Sequence, residues 1–575
     1  MTRTGADLLR VRALDDRGAS TGLDRLLSEA EFRDFAADSE QHQPRWVFAD
    51  TARLYPLLLA GGVRLKRAHD LRLCHAILRL AEASAHSALA NAPAGRWDQA
   101  PPVAVAAPTT GTTLFDLEPD EPAAGEGAGP EDGLTEFKAQ LDAVRTAAEP
   151  GRLRLLLAAE SVGALIAAEM QFAGLPWQSA IHDRLLTAEL GPRVPAGLRP
   201  ERLEDLAAGI RAALGDHTIN PDSPPELLRA LNRAGVTTAS TRAWELQRID
   251  HPVIEPLLRY KKLARLLSNN GWYWMESWII NDRFHPEYLP GGVVTGRWAT
   301  RGGGALQLPR QVRGAVVADP GWTFVVADAA QLEPRILAAL SHDTAMATAG
   351  RGTDLYAGIV ASGVVETRAH AKVAMLGAMY GATSGESGRL LPRLARAYPR
   401  ALALTEAAAR AGERGDVVST RLGRSSPRPG AAWQDDQGRA TEAGATAGDE
   451  RRARSQARDW GRFTRNFIVQ GSAAEWALCW MAEIRKGLWD LPGIAEAGNA
   501  SGEPGGPGAN PFLAAPHLVF FLHDEVIVHT PAALADRVAT IVTAAAATAG
   551  RLLFGDFPVD FPLTCVIVDS YADAK

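Results

Sequence analysis

The feature that most constrains this chain is a set of short apolar runs, typical of buried strands, that lie far apart in the sequence. They span residues 323–327, 518–522 and 565–568. Because a lone strand leaves its backbone groups unpaired, we expect these runs to meet in one sheet. The long stretch 341–470 between the first two runs has mainly helical patterns. The sequence therefore predicts an α+β core with a helical insertion.

Carboxylates stand at the ends of two of these runs. Asp328 follows the first run, whereas Asp524 and Glu525 follow the second and precede another apolar run. This second pattern predicts a β-hairpin with carboxylates at its tip. Taken singly, Asp328 is typical of a helix N-cap and the hairpin tip is typical of an exposed turn. Two aspartates from separate strands can instead hold two Mg²⁺ ions for phosphoryl transfer, and their pairing favours that interpretation.

A helix with a cationic start and an aromatic end is predicted over residues 368–381. Four of its residues recur at four-residue spacing and therefore share one face: Arg368, Lys372, Leu376 and Tyr380. The two cations suit a triphosphate, and the aromatic ring suits stacking on a base. An ordinary surface helix with one buried edge fits the same composition.

These three segments, in this order, resemble motifs A, B and C of the family A DNA polymerases, which are of the DNA polymerase I type. Motif A, Asp-x-Ser-Gln-Ile-Glu-Leu-Arg, stands here as residues 328–335, motif B as 368–381 and motif C, His-Asp-Glu, as 523–525. The resemblance covers roughly residues 150–575. It is nearest to the short actinobacterial-type bifunctional 3′-5′ exonuclease/polymerase members. Supporting matches lie at residues 295–297, 305–309 and 462–475.

The resemblance implies a multidomain right-hand polymerase with a palm, helical fingers and a helical thumb. It also implies a small ribonuclease H-like α/β domain of exonuclease type ahead of the hand. Primer–template DNA and dNTPs are the implied partners. The implied segments are an exonuclease-like domain at 1–90, a disordered acidic linker at 91–133, thumb at 134–290, palm at 291–340 and 471–575, and fingers at 341–470.

The resemblance also assigns roles to single residues. Two Mg²⁺ ions, for which Mn²⁺ can substitute, are implied at Asp328, Asp524 and the carbonyl of Ala329, with Glu525 assisting catalysis. Lys372 is implied to protonate the departing pyrophosphate. The implied dNTP contacts are Arg368, Lys372, Tyr380, Glu333 (which would reject a ribose 2′-hydroxyl), Gln331, Tyr356 and Leu376. The implied DNA contacts are Arg297, Gln307, Arg462, Asn466, Gln470 and His523.

The sequence departs from the family's pattern in three places. Leu376 stands where the family has Phe or Tyr, and Tyr356 stands where His is usual. Ala329 and Ala330 replace a Tyr-Ser pair after the first metal-binding aspartate. We expect polymerisation to survive all three changes and nucleotide selectivity to be altered by Leu376.

The N-terminal domain lacks an exonuclease carboxylate set in the expected places. Asp-x-Glu triplets occur at 38–40, after a helical run, and at 116–118, in the linker, whereas that fold needs the triplet on a strand. Leu54 stands about where the second carboxylate would fall, although Asp50 is close by. Because two-metal hydrolysis needs carboxylates, we expect no exonuclease activity. The alternatives are an active exonuclease/polymerase and a non-catalytic DNA-binding scaffold.

The charge of the chain is segregated although its net value is only -6. Residues 116–136 carry eight acidic and no basic residues, whereas 259–310 and 385–470 have local net charges of +5 and +6. The basic stretches indicate a surface for a polyanion, and solvated helix faces would give the same pattern. Within the second stretch, the Gly/Ala/acid-rich residues 427–450 are typical of a mobile loop.

Composition and length give the remaining expectations. The three cysteines have no CxxC spacing, which favours a cytoplasmic protein over a disulfide-rich or zinc-binding one. No signal-like N-terminus and no long uninterrupted apolar run occur, so we expect no membrane association. We also expect a monomer. The 575-residue length leaves no room for a 5′ nuclease domain beside the predicted segments.

Overall fold

A computed structural model describes residues 2–4, 8–99, 130–195, 197–301, 304–352, 354–381, 385–491 and 510–574. Most of the predicted linker, residues 100–129, lies outside these ranges.

The first 80 residues fold as a small α/β unit, which confirms the predicted fold of this region. Strands β1, β2 and β3 form an antiparallel sheet, and β4 pairs with β5 in parallel. Phe32, Phe48 and Tyr55 lie in a core that is separate from the main one. The elements are β1 (Thr2–Thr4), β2 (Leu8–Leu14), β3 (Ser20–Ser28), α1 (Glu29–Glu40), β4 (Arg45–Phe48), α2 (Thr51–Ala60), β5 (Arg67–Asp70) and α3 (Leu71–Leu80).

The next region is helical, as its periodicity predicts. The long helix α6 is buried along most of its length and ends at Gly174, whose φ of 70° suits glycine. The helices are α4 (Ala88–Asn91), α5 (Pro130–Thr146), α6 (Pro150–Ala173), α7 (Ser179–Leu190), α8 (Glu201–Leu214), α9 (Pro224–Arg233), α10 (Ala243–Leu246), α11 (Ile254–Asn270) and α12 (Trp272–Trp278). Short strands lie beside them: β6 (Leu175–Pro176), β7 (Ile279–Ile280), β8 (Arg283–Phe284), β9 (Tyr288–Leu289) and β10 (Ala299–Thr300).

The three apolar runs at 323–327, 518–522 and 565–568 meet in one antiparallel sheet with the strand order β12-β13-β11-β14. Val325, Val326 and Ile527 are buried in it. The α+β core is therefore confirmed. Its elements are β11 (Trp322–Ala329), β12 (His517–Leu522), β13 (Glu525–Pro531), α21 (Ala535–Phe554) and β14 (Leu563–Val568).

Eight helices are inserted between β11 and β12 in the described part of the chain. The last of them, α20, has 43 residues and runs without a break through the predicted boundary between residues 470 and 471. One helix therefore contributes residues to both the predicted fingers and the predicted palm. The helices are α13 (Leu332–Leu340), α14 (Thr344–Gly350), α15 (Leu355–Ala361), α16 (Arg368–Tyr380), α17 (Gly385–Ala397), α18 (Pro399–Glu413), α19 (Ala431–Arg439) and α20 (Ala447–Trp489).

The stretch 427–450, whose role the sequence leaves open and whose composition is typical of a mobile loop, contains a packed helix. Helix α19 lies against the N-terminal half of α20. The amide of Gln437 donates to the carbonyl of Ala453 at 2.9 Å, and the amide of Gln456 donates to Asp436 at 2.6 Å. The loop interpretation is wrong because these long-range polar contacts, which local composition does not encode, hold the helix in place.

One described helix, Ala532–Phe554, is long and apolar enough to cross a membrane, with a mean hydropathy of 1.3 in its most apolar window. In the structure, Val538, Val542 and Ala545 on this helix are buried in the main core. The helix packs against α20 and the palm sheet, as core helices do. The lack of membrane association stays a prediction from the sequence.

Candidate active site

The end of the four-stranded sheet brings the sequence-distant carboxylates together. In the pairing of β11 with β13, Asp328 lies directly opposite Glu525. The backbone N–H of Ala329 donates to the backbone carbonyl of Asp524 at 2.9 Å. The predicted β-hairpin is present, with His523 and Asp524 as its turn, whereas Glu525, expected at the tip, is the first residue of β13. His523 has a φ of 59°, which is uncommon for a residue other than glycine.

Glu525 points away from solvent, since only 1% of its surface is exposed. Its Oε1 accepts a hydrogen bond from the hydroxyl of Tyr571. The guanidinium of Arg313 lies over the ring of Tyr571, 4.4 Å from its centroid. Burial, together with the charge of Glu525, raises the pKa of Tyr571, so this hydroxyl remains a donor. Sequence reasoning missed Tyr571 and Arg313 because both are remote from the motifs.

The donor set at the sheet end fits a hard divalent cation. Asp328 and Asp524 are partly exposed and supply carboxylate oxygens, and Ala329, which can add its carbonyl, directly follows Asp328 in the chain. Mg²⁺ prefers oxygen ligands and is commonly held by one or two carboxylates together with substrate phosphates. Within the described residues, no cluster of three or more His, Cys, Asp or Glu has the arrangement of a metal site. The protein would supply two carboxylates and the carbonyl of Ala329, with the other ligands coming from phosphates and water.

Helix α16 presents the predicted nucleotide-binding residues on one exposed face. The side chain of Thr367 caps its start by accepting from the N–H of His370 at 3.1 Å, and Gly381 ends it with a φ of 75°. Residues of the opposite face, such as Ala374, are buried in the main core. The predicted helix and its exposed face are therefore present. The exposed residues are Arg368, Lys372, Leu376 and Tyr380.

Asp354, which sequence reasoning missed, joins motif A to motif B. Its Oδ2 accepts from Nη2 of Arg368 at 2.8 Å and from Nε2 of Gln331 at 3.1 Å. Its Oδ1 caps α15 by accepting from the N–H of Ala357 at 2.9 Å. Partial burial would raise the pKa of Asp354, but the hydrogen bonds from Arg368 and Ala357 lower it. A capping aspartate before a helical run was the available signal.

Tyr356 lies beside the same cation. The guanidinium of Arg368 is 5.5 Å from the centroid of the Tyr356 ring, within the range of a cation–π contact. Burial and then the nearby charge of Glu333 raise the pKa of Tyr356 to about 12. The phenol therefore stays neutral at physiological pH and adds no negative charge next to Arg368.

Glu333 is held between two residues from other elements. Its Oε2 accepts from the hydroxyl of Tyr380 at 2.7 Å, and its Oε1 accepts from the guanidinium of Arg297. Gln470 approaches from α20 and accepts a hydrogen bond from Thr295 at 3.1 Å. Residues predicted separately as nucleotide and DNA contacts thus form one continuous cluster.

A small cavity of about 100 Å³ lies behind this cluster. Glu333, Arg297, His523 and Asp524 line its polar side, and Phe521 belongs to the apolar side. Partial burial and the charge of Arg297 lower the pKa of His523, so the imidazole is neutral at physiological pH. A neutral imidazole can donate or accept a hydrogen bond, as recognition of a base edge requires.

The other predicted DNA contacts follow α20 outward from Gln470. Arg462 is exposed, forms an ion pair with Asp459 and packs against Gly381, where an added Cβ would lie 3.0 Å from its Cγ. The Oδ1 atom of Asn466 is buried and accepts no hydrogen bond from the described residues. The side chain of Gln307, predicted as a further contact, lies outside the described residues.

The model of DNA polymerase family A matches residues 199–567 of the chain. The chain belongs to DNA polymerase family A. It is 25% identical over 391 residues to DNA polymerase I, thermostable, of Thermus thermophilus, a match covering 61% of this chain and 41% of the relative. It is 30% identical over 174 residues to DNA polymerase I of Chloroflexus aurantiacus, covering 27% of this chain and 18% of the relative. The chain thus spans about two fifths of the length of the first of these relatives.

The fold of this family A chain is similar to that of the POL domain of Pol1 from M. smegmatis, solved in complex with DNA primer-template and dNTP. The TM-score is 0.63 at 18% sequence identity, and the match covers 96% of this chain and 91% of the other. The predicted right-hand fold preceded by a small α/β domain is therefore confirmed.

In this family A chain, the first Asp-x-Glu triplet is built into α1 rather than a strand. Glu40 accepts from the indole N–H of Trp46 at 2.6 Å and from the N–H of Lys66 at 3.1 Å, so it holds the domain together. Asp50 caps α2 by accepting from the N–H of Ala52 at 3.1 Å. The second triplet, 116–118, lies outside the described residues.

A large cleft of about 1490 Å³ separates α5 from the sheet of the N-terminal unit of this family A chain. Its lining contains eight Arg and Lys side chains and three Asp side chains, a cationic balance that does not favour a carboxylate-bound metal pair. The cations include Arg10, Arg12, Arg45, Arg67 and Lys138.

Proposed function

We propose that this chain is a DNA-templated DNA polymerase that adds dNTPs to a primer 3′ end, in gap filling during replication or repair. One observation carries the proposal: Asp328 and Asp524 meet at the end of one sheet. Helix α16, with its exposed cations, is connected to the segment just after β11 through Asp354, which accepts hydrogen bonds from Arg368 and Gln331. Phosphoryl transfer needs little more than positioning and charge stabilisation, which such an arrangement supplies.

Two divalent cations, Mg²⁺ or in its place Mn²⁺, are proposed to bind Asp328, Asp524 and the carbonyl of Ala329. When bound, such ions activate a hydroxyl nucleophile and stabilise the charge on the leaving oxygen. Glu525 is proposed to position the hairpin tip, since its carboxylate is fixed by the hydroxyl of Tyr571.

The cations of α16 are proposed to bind the triphosphate of the incoming nucleotide. Arg368 presents a planar fork that suits phosphate oxygens, and the contact with Asp354 limits its orientations. Lys372 lies one turn further along the same exposed face and can give a proton to the departing pyrophosphate. Tyr356 keeps a hydrogen-bond donor near Arg368 without adding charge.

The sugar and base are proposed to lie at the other end of α16. Glu333 is fixed by Tyr380 and Arg297, so a ribose 2′-hydroxyl would meet a side chain that cannot move aside freely. Leu376 offers a smaller contact surface to the sugar than an aromatic ring would. Gln331 supports this site from the end of β11 through its bond to Asp354.

DNA is proposed to contact the cluster around Gln470. Arg297, Gln470 and His523 carry groups that can bond minor-groove acceptors, which are nearly the same for all base pairs, so these contacts would test geometry rather than sequence. Gln307 is proposed to contact the same minor-groove acceptors, and Arg462 and Asn466 are proposed to contact the template side.

The N-terminal domain is proposed to lack 3′-5′ exonuclease activity. Its candidate carboxylates cap or brace helices, and its cleft is lined by cations. We further propose that the protein works as a cytoplasmic monomer.

Primer extension tests the central proposal. Purified protein is given a primed template, dNTPs and Mg²⁺, and the expected result is extension by the wild type. Asp328→Ala and Asp524→Ala should each abolish it, whereas Asp556→Ala, at an exposed aspartate of the same domain, should leave it unchanged. Extension that persists in both site variants would refute the metal assignment. DNA binding without any extension by the wild type would favour a non-catalytic scaffold.

A further inference from the structure

Two carboxylates face each other across the four-stranded sheet at the proposed metal site. Asp328 on β11 and Glu525 on β13 are paired directly in the antiparallel register. Directly opposed residues project from the same face of a sheet, with Cβ atoms roughly 4.5–5.5 Å apart. Like charges at that spacing repel each other, so the folded protein needs a group that keeps the two carboxylates apart.

The side chain of Tyr571 draws Glu525 into the protein interior. Glu525 is buried, and its Oε1 accepts a hydrogen bond from the hydroxyl of Tyr571, whereas Asp328 is partly exposed. The hydrogen bond favours one orientation of the Glu525 carboxylate, away from the exposed end of the sheet. Two opposed residues of the same charge therefore have different surroundings, and Asp328 is the one that remains accessible.

Backbone and ring contacts fix the position of Tyr571. Its N–H donates to the carbonyl of Val316 at 3.0 Å, and the N–H of Ala318 donates to the carbonyl of Asp569 at 2.9 Å. The Tyr571 ring is fully buried and lies edge-on to Phe520, with ring centroids 6.2 Å apart. A phenylalanine at this position would therefore keep the ring and its packing and lose only the hydrogen-bond donor.

The guanidinium of Arg313 lies over the same ring, 4.4 Å from the centroid, within the range of a cation–π contact. Its Nε and Nη1 atoms are buried, and they have no hydrogen-bond partner among the described residues. The ring of Tyr571 is therefore the group that this buried part of the guanidinium contacts. Arg313 thus restricts the ring and, through it, the hydroxyl that binds Glu525.

We propose that Tyr571 is a positioning residue that keeps Glu525 from becoming a direct ligand of the divalent cations. The proposal rests on the proposed polymerase function, because it concerns the same metal site. The ligands that the protein supplies are then Asp328, Asp524 and the carbonyl of Ala329. The number of charged ligands sets how tightly a site binds a hard cation, so a further carboxylate would change the affinity of the site.

Removing the hydroxyl should release Glu525 toward Asp328. In Tyr571→Phe, the freed carboxylate would become a third charged ligand, and Mn²⁺ should bind about fivefold more tightly. Catalysis should fall, because the ions would be held by an additional protein group in place of the substrate phosphates and water.

The test measures the affinity of the purified protein for Mn²⁺ alone, from the EPR signal of free Mn²⁺ in a titration without DNA or dNTPs. Tyr571→Phe should bind more tightly than the wild type. The double variant Tyr571→Phe/Glu525→Gln should bind like Glu525→Gln, because the freed amide carries no charge. Unchanged or weaker binding by Tyr571→Phe would overturn the proposal. Tighter binding by the double variant than by Glu525→Gln would also overturn it, because the added ligand would then not be Glu525.

Arg313→Gln is a second variant, which keeps the hydroxyl and removes the cation from the ring. It should tighten Mn²⁺ binding in the same direction by about twofold, since the hydroxyl would be less well fixed. Thermal unfolding checks the fold of each variant. If Tyr571→Phe does not fold, Arg313→Gln decides the question, and wild-type or weaker Mn²⁺ binding by it would then refute the positioning role.

Primer extension with Mg²⁺ gives an independent readout. The kcat of Tyr571→Phe should fall by about tenfold, whereas KM for dNTPs should change by less than about twofold, because the hydroxyl acts at the metal site and not on α16. A rise in KM with kcat unchanged would contradict the proposal. Absence of extension by the wild type would refute the polymerase assignment, and the Mn²⁺ titrations would still decide the role of Tyr571.

Tyr55→Phe is the matched control. Tyr55 is fully buried and its hydroxyl donates to the buried Glu169 at 2.6 Å, so this variant deletes a hydrogen bond of the same kind at the junction with the N-terminal unit. It should lower Tm without changing Mn²⁺ affinity. An equal tightening of Mn²⁺ binding in Tyr55→Phe would overturn the assignment to Tyr571.

Discussion

Arg485 and Glu169 form a bidentate ion pair at the junction between the N-terminal unit and the hand. Nη2 of Arg485 lies 2.7 Å from Oε1 of Glu169, and Nε lies 3.0 Å from Oε2. Both side chains are almost fully buried. The hydroxyl of Tyr55 donates to Glu169 at 2.6 Å, and Arg64 approaches to 3.3 Å. The network ties α2, α6 and α20 together.

Breaking this pair should destabilise the protein strongly. Arg485→Met removes the main partner of a buried carboxylate, and such losses typically cost about 3–5 kcal/mol. Thermal unfolding should show a clear fall in Tm. The control is Lys486→Met, which removes an exposed pair with Glu483 and should change stability by about 0.5 kcal/mol or less. Equal Tm values for the two variants would contradict the assigned importance of the buried pair.

The Arg485–Glu169 pair should make the free energy of unfolding decrease as the pH falls. Burial would raise the pKa of Glu169, but Arg485 and Arg64 lower it to about 2, from an ordinary value of 4.5. Because the folded pKa lies below the unfolded one, this contribution is fully present above about pH 4.5 and is lost as pH falls toward 2. Unfolding measured across this window should lose less stability with acid in Glu169→Gln than in the wild type. An equal loss of stability with falling pH in the two proteins would contradict the lowered pKa of Glu169.

Asp354 should act on nucleotide binding more than on chemistry. In Asp354→Ala, Arg368 loses the carboxylate that orients it, so KM for dNTPs should rise by about tenfold while kcat changes less. Asp354→Glu, which keeps the charge, should recover part of the affinity. Steady-state primer extension measures both quantities. A fall in kcat with KM unchanged would exclude this positioning role.

Glu333 should decide between deoxyribonucleotides and ribonucleotides. Glu333→Ala removes the side chain that Tyr380 and Arg297 hold in place, so the ratio of kcat/KM for dNTP over rNTP should fall by at least about tenfold. Glu366→Ala, at an exposed glutamate directly before the N-cap of α16, serves as the control. An unchanged ratio in Glu333→Ala would refute the exclusion of the 2′-hydroxyl by this side chain.

Leu376→Phe should restore an aromatic contact to the sugar. The side chain is 37% exposed on the nucleotide face of α16, so a ring can be accommodated there. The added contact should lower KM for dNTPs by a few-fold, in line with about 0.5–1.5 kcal/mol for an aromatic contact. The preference between dideoxy- and deoxynucleotides should change as well. Equal dideoxy and deoxy use by wild type and variant would refute altered selectivity at this position.

The sequence predicts those strands and helices whose residues follow a local hydrophobic or turn pattern. The apolar runs around Asp328 and Asp524 predict the strands and the hairpin because alternation and turn residues are local signals. Helix α16 is predicted because its four-residue spacing places one face outward. The assembly of these strands into one sheet is predicted because their buried backbone N–H and C=O groups need hydrogen-bond partners.

Contacts between remote segments could not be predicted in this way. The bonds of Tyr571 to Glu525, and of Arg485 to Glu169, join residues whose local patterns resemble ordinary surface or core positions. Helix α19 was missed because its stability comes from packing against α20 rather than from its own composition. The roles of the predicted site residues stay predictions until the variants above are measured.

The continuity of α20 determines where the hand can bend. Its C-terminal end is fixed by Arg485 in the buried network, and its N-terminal half is braced by α19. An unbroken helix transmits force along its length and offers no pivot of its own. We therefore expect a closing motion over a bound nucleotide to turn about the ends of α16, at Thr367 and Gly381, while α20 stays in place beside it.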